Sequence, residues 1–145
     1  MRESVMFNIL NMIKNILFSF FTKKEPDIDI VWPFFIELTQ TEYEAHPDYN
    51  LTEEEIFELK KSDCEDRAMA LAKYMIDKGF TNIRILQLSW EPDKPGHMAL
   101  LYNNKVFDAT ASKQGKYIYF NYDHDIYIQE FKFQRIITSP YNGGN

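Results

Sequence analysis

The chain has 145 residues, a formal charge of −6, 45% hydrophobic residues with 12 Phe and 9 Tyr, and one Cys. That length supports a real core, and that aromatic content excludes a disordered chain. The acidic balance argues against general nucleic-acid binding, and a lone cysteine excludes an internal disulfide and suits a reducing, cytoplasmic setting.

Residues 1–25 read as a separate N-terminal element. Val5 to Phe21 is mostly apolar, and Lys23-Lys24-Glu25-Pro26 breaks the run. Ser4, Asn8, Asn11, Asn15 and Ser19 recur at spacings of four, three, four and four, which predicts an amphipathic helix with a narrow polar stripe. Lys14 and the three Asn make it a poor membrane span. No small-residue cleavage site follows it, as a signal peptide would require. Residues 3–22 are therefore expected to contact a membrane surface or a protein partner.

Residues 26–145 read as one domain. Asp27 to Trp32 is expected to be extended, with Pro33 opening a helix that runs over Phe34 to Tyr43. Thr52-x-x-Glu55 has the form of a capping box and predicts a short helix over Thr52 to Lys61. Ser62-x-x-Glu65 has the same form and makes Ser62 the N-cap of the next helix. Its buried face is Ala68, Leu71, Ala72, Met75 and Ile76, and Gly79 ends it. Ile83 to Trp90 is a predicted strand, followed by a turn-rich loop over 91–96. Strands follow over His97 to Tyr102, Lys105 to Thr110 and Lys116 to Phe120. Alternation across Ile126 to Ile137 predicts a last, half-exposed strand. Helices followed by antiparallel strands predict an α+β domain with helices against one sheet.

The chemistry centres on Cys64, within Asp63-Cys64-Glu65-Asp66-Arg67-Ala68. Its helical first turn leaves backbone N–H groups without intrahelical partners, and the helix dipole favours a thiolate there. His97 and Asp108 can be placed by register. Asn103-Asn104 suits a two-residue hairpin turn, because Asn tolerates positive φ. That turn pairs Leu101 with Val106 and Leu100 with Phe107, and sets His97 diagonal to Asp108 at about 7–8 Å. A thiol, a base and an orienting carboxylate are what nucleophilic thiol catalysis needs. The bland alternatives are a buried structural cysteine, a strand histidine with a satisfied hydrogen bond and a turn carboxylate. Arg67 is expected in a surface ion pair. His46 and His124 are expected in exposed loops, with His124 between Asp123 and Asp125 as a weak metal site. No paired Cys or His ligands and no glycine-rich phosphate loop occur, so no metal or other cofactor is expected.

These motifs carry a resemblance. Asp63-Cys64-Glu65-Asp66-Arg67-Ala68, then Gly96-His97-Met98-Ala99, then Val106-Phe107-Asp108-Ala109-Thr110 resemble the transglutaminase-like superfamily, closest to its small bacterial and archaeal members. The likeness covers about residues 53 to 110. It departs where many members have Gly before the Cys and Trp after it, at Asp63 and Glu65. It implies a papain-like core with Cys64 as nucleophile, His97 as general base and acid, and Asp108 as orienting carboxylate. It also implies a cysteine peptidase, amidase or acyltransferase acting on a peptide or protein through an acyl-enzyme. Amides of the Cys64 helix start are expected to hold the oxyanion, with Trp32, Gln40 and Asn50 as candidates for a second donor. Hydrolysis is favoured over transglutamination, because a small open site excludes water poorly. The alternative is an inactive binding module of the same fold, docking a peptide or membrane partner.

Overall fold

The computed structural model describes residues 2–21, 24–46, 49–94, 96–115 and 117–143. Helix α1 spans Arg2–Phe21, and its large side chains from Val5 to Leu17 stand 44–65% exposed. None of them joins a core cluster. No helix among the described residues is long and apolar enough to cross a membrane.

A short 3-10 turn over Ile28–Val31 replaces the extended entry, and α2 runs over Trp32–Gln40 with Pro33 in its first turn. Thr41 ends α2 three residues earlier than the sequence pattern suggests, since its hydroxyl bonds back to the Leu38 carbonyl at 2.8 Å. The chain then forms β1 (Glu42–Tyr43), which pairs in parallel with β2 (Lys61–Ser62). Between them lies α3 (Glu53–Leu59), opened by the expected Thr52–Glu55 capping box. Helix α4 spans Cys64–Asp77, and Gly79 follows it at φ +103, where other residues would be strained.

Five antiparallel strands make the main sheet: β3 (Arg84–Ser89), β4 (His97–Tyr102), β5 (Lys105–Asp108), β6 (Tyr119–Asp123) and β7 (Arg135–Pro140), in the order β6-β5-β4-β3-β7. Asn103 and Asn104 both take positive φ, 49° and 60°, and set the predicted pairings Leu100–Phe107, Leu101–Val106 and Tyr102–Lys105. Strand alternation divides the core between two faces. Ile85, Leu100 and Phe107 pack with Phe35, Leu71 and Met75 of α2 and α4. Leu86, Ala99 and Val106 pack on the other face with Tyr127 and Phe133. Full burial of each such side chain contributes about 1.5–3 kcal/mol.

Two strand expectations fail for local reasons. Residues 109–110 leave the sheet because Asp108 accepts the Ala111 amide at 2.8 Å and caps helix α5 (Ala109–Gln114). Ile126 to Ile137 is not one strand. Asp123 caps helix α6 (His124–Phe131), Lys132 at φ 55° ends it, and β7 follows. Tyr127 and Phe131 are four apart, so they satisfy helical spacing as well as strand alternation. The strand expected over Lys116 to Phe120 is β6, displaced toward the C-terminus; Lys116 itself lies outside the described residues.

Candidate active site

The start of α4 fixes the thiol. Its N-cap is Asp63, one residue later than the sequence pattern suggests. Asp63 Oδ1 accepts the Asp66 amide at 2.9 Å, and Asp66 Oδ2 accepts the Asp63 amide at 2.9 Å. Ser62 cannot cap because it belongs to β2. Its buried hydroxyl meets Thr41 Oγ1 at 2.6 Å and accepts from Arg67 Nε at 2.8 Å. Cys64 is therefore the first helical residue, half-buried, on the wall of an open cleft. Glu65 is free of capping and lines the same cleft.

His97 opens β4 and faces both partners. Its Nε2 donates to Asp108 Oδ2 at 2.6 Å, and its ring also lies beside the Cys64 sulfur. Burial pulls the imidazole toward neutrality, but the Asp108 carboxylate and then the Cys64 sulfur outweigh it and lift His97 from an ordinary 6.5 to about 10. Asp108 is 1% exposed and ends β5. Besides His97 it accepts the Tyr127 hydroxyl on Oδ2 at 2.6 Å and the Ala111 amide on Oδ1. The hairpin register thus sets His97 beside Asp108.

Three further residues shape this centre. Arg67 is 1% exposed and forms no surface ion pair. Its guanidinium donates to Ser62 Oγ, to Thr110 Oγ1 at 3.0 Å and to the Thr41 carbonyl at 2.9 Å, all neutral acceptors. Spacing accounts for this, since position 67 precedes Ala68 and Leu71 on the inward face of α4. Tyr43 lies under Arg67, with the guanidinium carbon 5.6 Å from its ring centroid. Burial and then the neighbouring Cys64 hold the Tyr43 hydroxyl above its ordinary range, so it stays protonated beside the sulfur. Tyr127 reaches Asp108 from α6, and burial followed by that carboxylate raises its pKa. Sequence reasoning missed all three. Only the i, i+3 offset of Arg67 from Cys64 offered a signal.

The cleft has a volume of about 430 Å³ and runs from Cys64 and His97 to Pro92, Lys94 and Arg135. Trp32, Gln40 and Asn50 do not line it. Trp32 packs edge-on against Phe120, Gln40 bonds to Thr39, and Asn50 lines a separate cavity with Thr52 and Lys73. His46 is not an exposed loop residue. Its ring is 11% exposed and contacts Asp63 and Asp66. These are the one set of three metal-ligating side chains among the described residues. The His124 ring meets Asp125 at 3.1 Å and lies outside that set.

No protein-family model matches the chain, and no curated protein matches it. Among solved structures the fold is similar to Legionella pneumophila LapG. The EGTA-treated form superposes with a TM-score of 0.50 and 23% identity, covering 62% of this chain and 56% of that one. The calcium-bound form gives 0.50 and 23%, covering 62% and 58%. This chain spans a little over half the length of those structures. The shared feature is the fold, an α+β arrangement of helices on a five-strand antiparallel sheet.

Proposed function

We propose that this chain is a transglutaminase-like thiol enzyme that hydrolyses a peptide or amide bond. The observation that carries this reading is the His97 ring held between Asp108 and the Cys64 sulfur. The Cys64 thiolate attacks the carbonyl carbon, forming a C–S bond while the carbonyl π electrons move to oxygen. In this reading the first-turn amides of α4, with the Tyr43 hydroxyl beside the sulfur, donate to that oxyanion. Collapse breaks the C–N bond, and the amine leaves with the proton from His97. Water then attacks the thioester, His97 takes its proton, and the acid departs as the thiol is regenerated. Asp108 keeps the imidazole oriented throughout. The open cleft favours water over an amine as acyl acceptor.

The calcium-bound form of LapG raises the question of calcium in this chain. The residues present do not fit it. Calcium takes about six to eight oxygen ligands. Here Asp66 Oδ1 accepts the Leu51 amide at 2.7 Å, Asp66 Oδ2 and Asp63 Oδ1 accept amides of the capping box, and the third group is an imidazole. No step of the reaction runs through a metal.

The test is the rate of iodoacetamide labelling of Cys64 against pH, in the native protein and in His97→Ala, followed by peptide turnover with Cys64→Ala as control. A fast phase that persists well below pH 8 and vanishes in His97→Ala supports the enzyme. Labelling indifferent to His97 rejects it and leaves a peptide-docking domain as the better account.

A further inference from the structure

Helix α1 carries nine large apolar side chains between Val5 and Leu17, each 44–65% exposed, and none joins a core cluster. At 3.6 residues per turn, Ser4, Asn8, Asn11 and Asn15 fall along one line, and Met6, Leu10, Ile13 and Leu17 lie opposite them. Ile9 and Ile16 stand beside that second line and widen the apolar arc to about half of the circumference. A helix gains most of its stability by packing such a face, and an apolar surface of this extent marks a binding surface. The same element is set apart by charge. Residues 1–24 hold Arg2, Lys14, Lys23 and Lys24 against Glu3, a net +3 in a chain of −6, which leaves −9 on residues 25–145. Lys23 lies outside the described residues and enters by its charge alone.

We propose that α1 lies in the plane of an anionic phospholipid surface, with the arc around Ile13 sunk below the headgroups and the basic side chains on lipid phosphates. Charge complementarity selects this occupant, because the apolar element also carries the positive excess. The width of the arc agrees with it. A helix lying in a membrane surface buries about half of its circumference, whereas a coiled-coil partner covers a narrow seam. A second copy of the chain would also oppose like charges, both on the two helices and on the two −9 remainders. Asn8, Asn11, Lys14 and Asn15, midway along the helix, favour the interface over the hydrocarbon interior. Lys14 stands four residues after Leu10, at the margin of the arc, where its stem can run along apolar surface to the phosphate level. The negative excess of residues 25–145 keeps the rest of the chain off the same lipids. The inference does not require Cys64 to be catalytic.

The test is cosedimentation of the full chain with vesicles of phosphatidylcholine alone and of a three-to-one mixture with phosphatidylglycerol, with light scattering of the free protein alongside. Partition about a hundredfold stronger into the mixed vesicles at low salt, weakening as salt is raised, is expected. The double variant Lys23→Glu/Lys24→Glu should lose most of that difference. Ile13→Asp should lose binding to both vesicles and keep the native Tm, because α1 joins no core cluster. Equal binding to the two vesicles, binding indifferent to salt, or undiminished binding of Ile13→Asp overturns the inference. A dimer in buffer that leaves both vesicles unbound also overturns it and makes a second copy the occupant. If Ile13→Asp aggregates, the comparison of the two vesicles with the native chain still decides.

Discussion

The Tyr127 hydroxyl and His97 Nε2 donate to the same oxygen, Asp108 Oδ2, each at 2.6 Å. One donor comes from α6 and the other from β4, so the carboxylate joins the helix on one face of the sheet to the imidazole at the start of its central strand. Tyr127 is fully buried, and its hydroxyl has no solvent to fall back on.

Tyr127→Phe is therefore expected to cost stability and orientation together. A hydrogen bond to a charged group contributes about 1.5–3 kcal/mol, and a loss of about 2 kcal/mol should appear in urea denaturation. Turnover should fall about tenfold with KM nearly unchanged, because Tyr127 touches the carboxylate and does not line the cleft. An unchanged kcat would mean that Asp108 is held well enough by the Ala111 amide and the strand end.

The His97 shift makes stability depend on pH in a defined window. The folded-state value, about 10, lies above the unfolded 6.5. The stabilisation is complete below 6.5, declines as pH rises and is gone above about 10. Urea midpoints measured across that interval should fall in the native protein more steeply than in His97→Gln. Equal slopes would show that the ring does not hold its extra proton against Asp108 and Cys64.

The arrangement of His97 and Asp108 was legible because a hairpin register is a local property. Asn103-Asn104 sets it, and every pairing back to Leu100–Phe107 follows from two positive φ angles. The Cys64 helix was legible for the same reason, although its cap lies one residue later. Ser62 and Asp63 are both good N-caps in sequence, and only the β1–β2 pairing, which draws the Ser62 hydroxyl to Thr41 and Arg67, separates them. Tyr43, His46 and Tyr127 were not legible as partners of this centre. They reach it from elements 17 or more positions away in sequence, and no local pattern encodes such contacts. The α6 segment was misread because Tyr127 and Phe131 fit both periods, and the Asp123 cap decides between them.

Arg67 provides the most demanding test of how the centre is built. It is a fully buried guanidinium bonded to two hydroxyls and one carbonyl, from Ser62, Thr110 and Thr41. These lie on β2, on α5 and at the end of α2, so one side chain joins three elements around the Cys64 helix. Burial pulls its pKa down, and Tyr43, Asp108 and Cys64 oppose that pull, in this order. Removing the fork leaves three buried acceptors without a donor, at about 1–3 kcal/mol each. Arg67→Met should destabilise by about 3 kcal/mol or more in urea denaturation and slow Cys64 labelling, since a positive charge near the sulfur is lost. Arg67→Lys should recover little, because one ammonium cannot reach acceptors in three fixed directions. A full recovery by Lys would mean that charge alone matters and that the three elements are held together by packing.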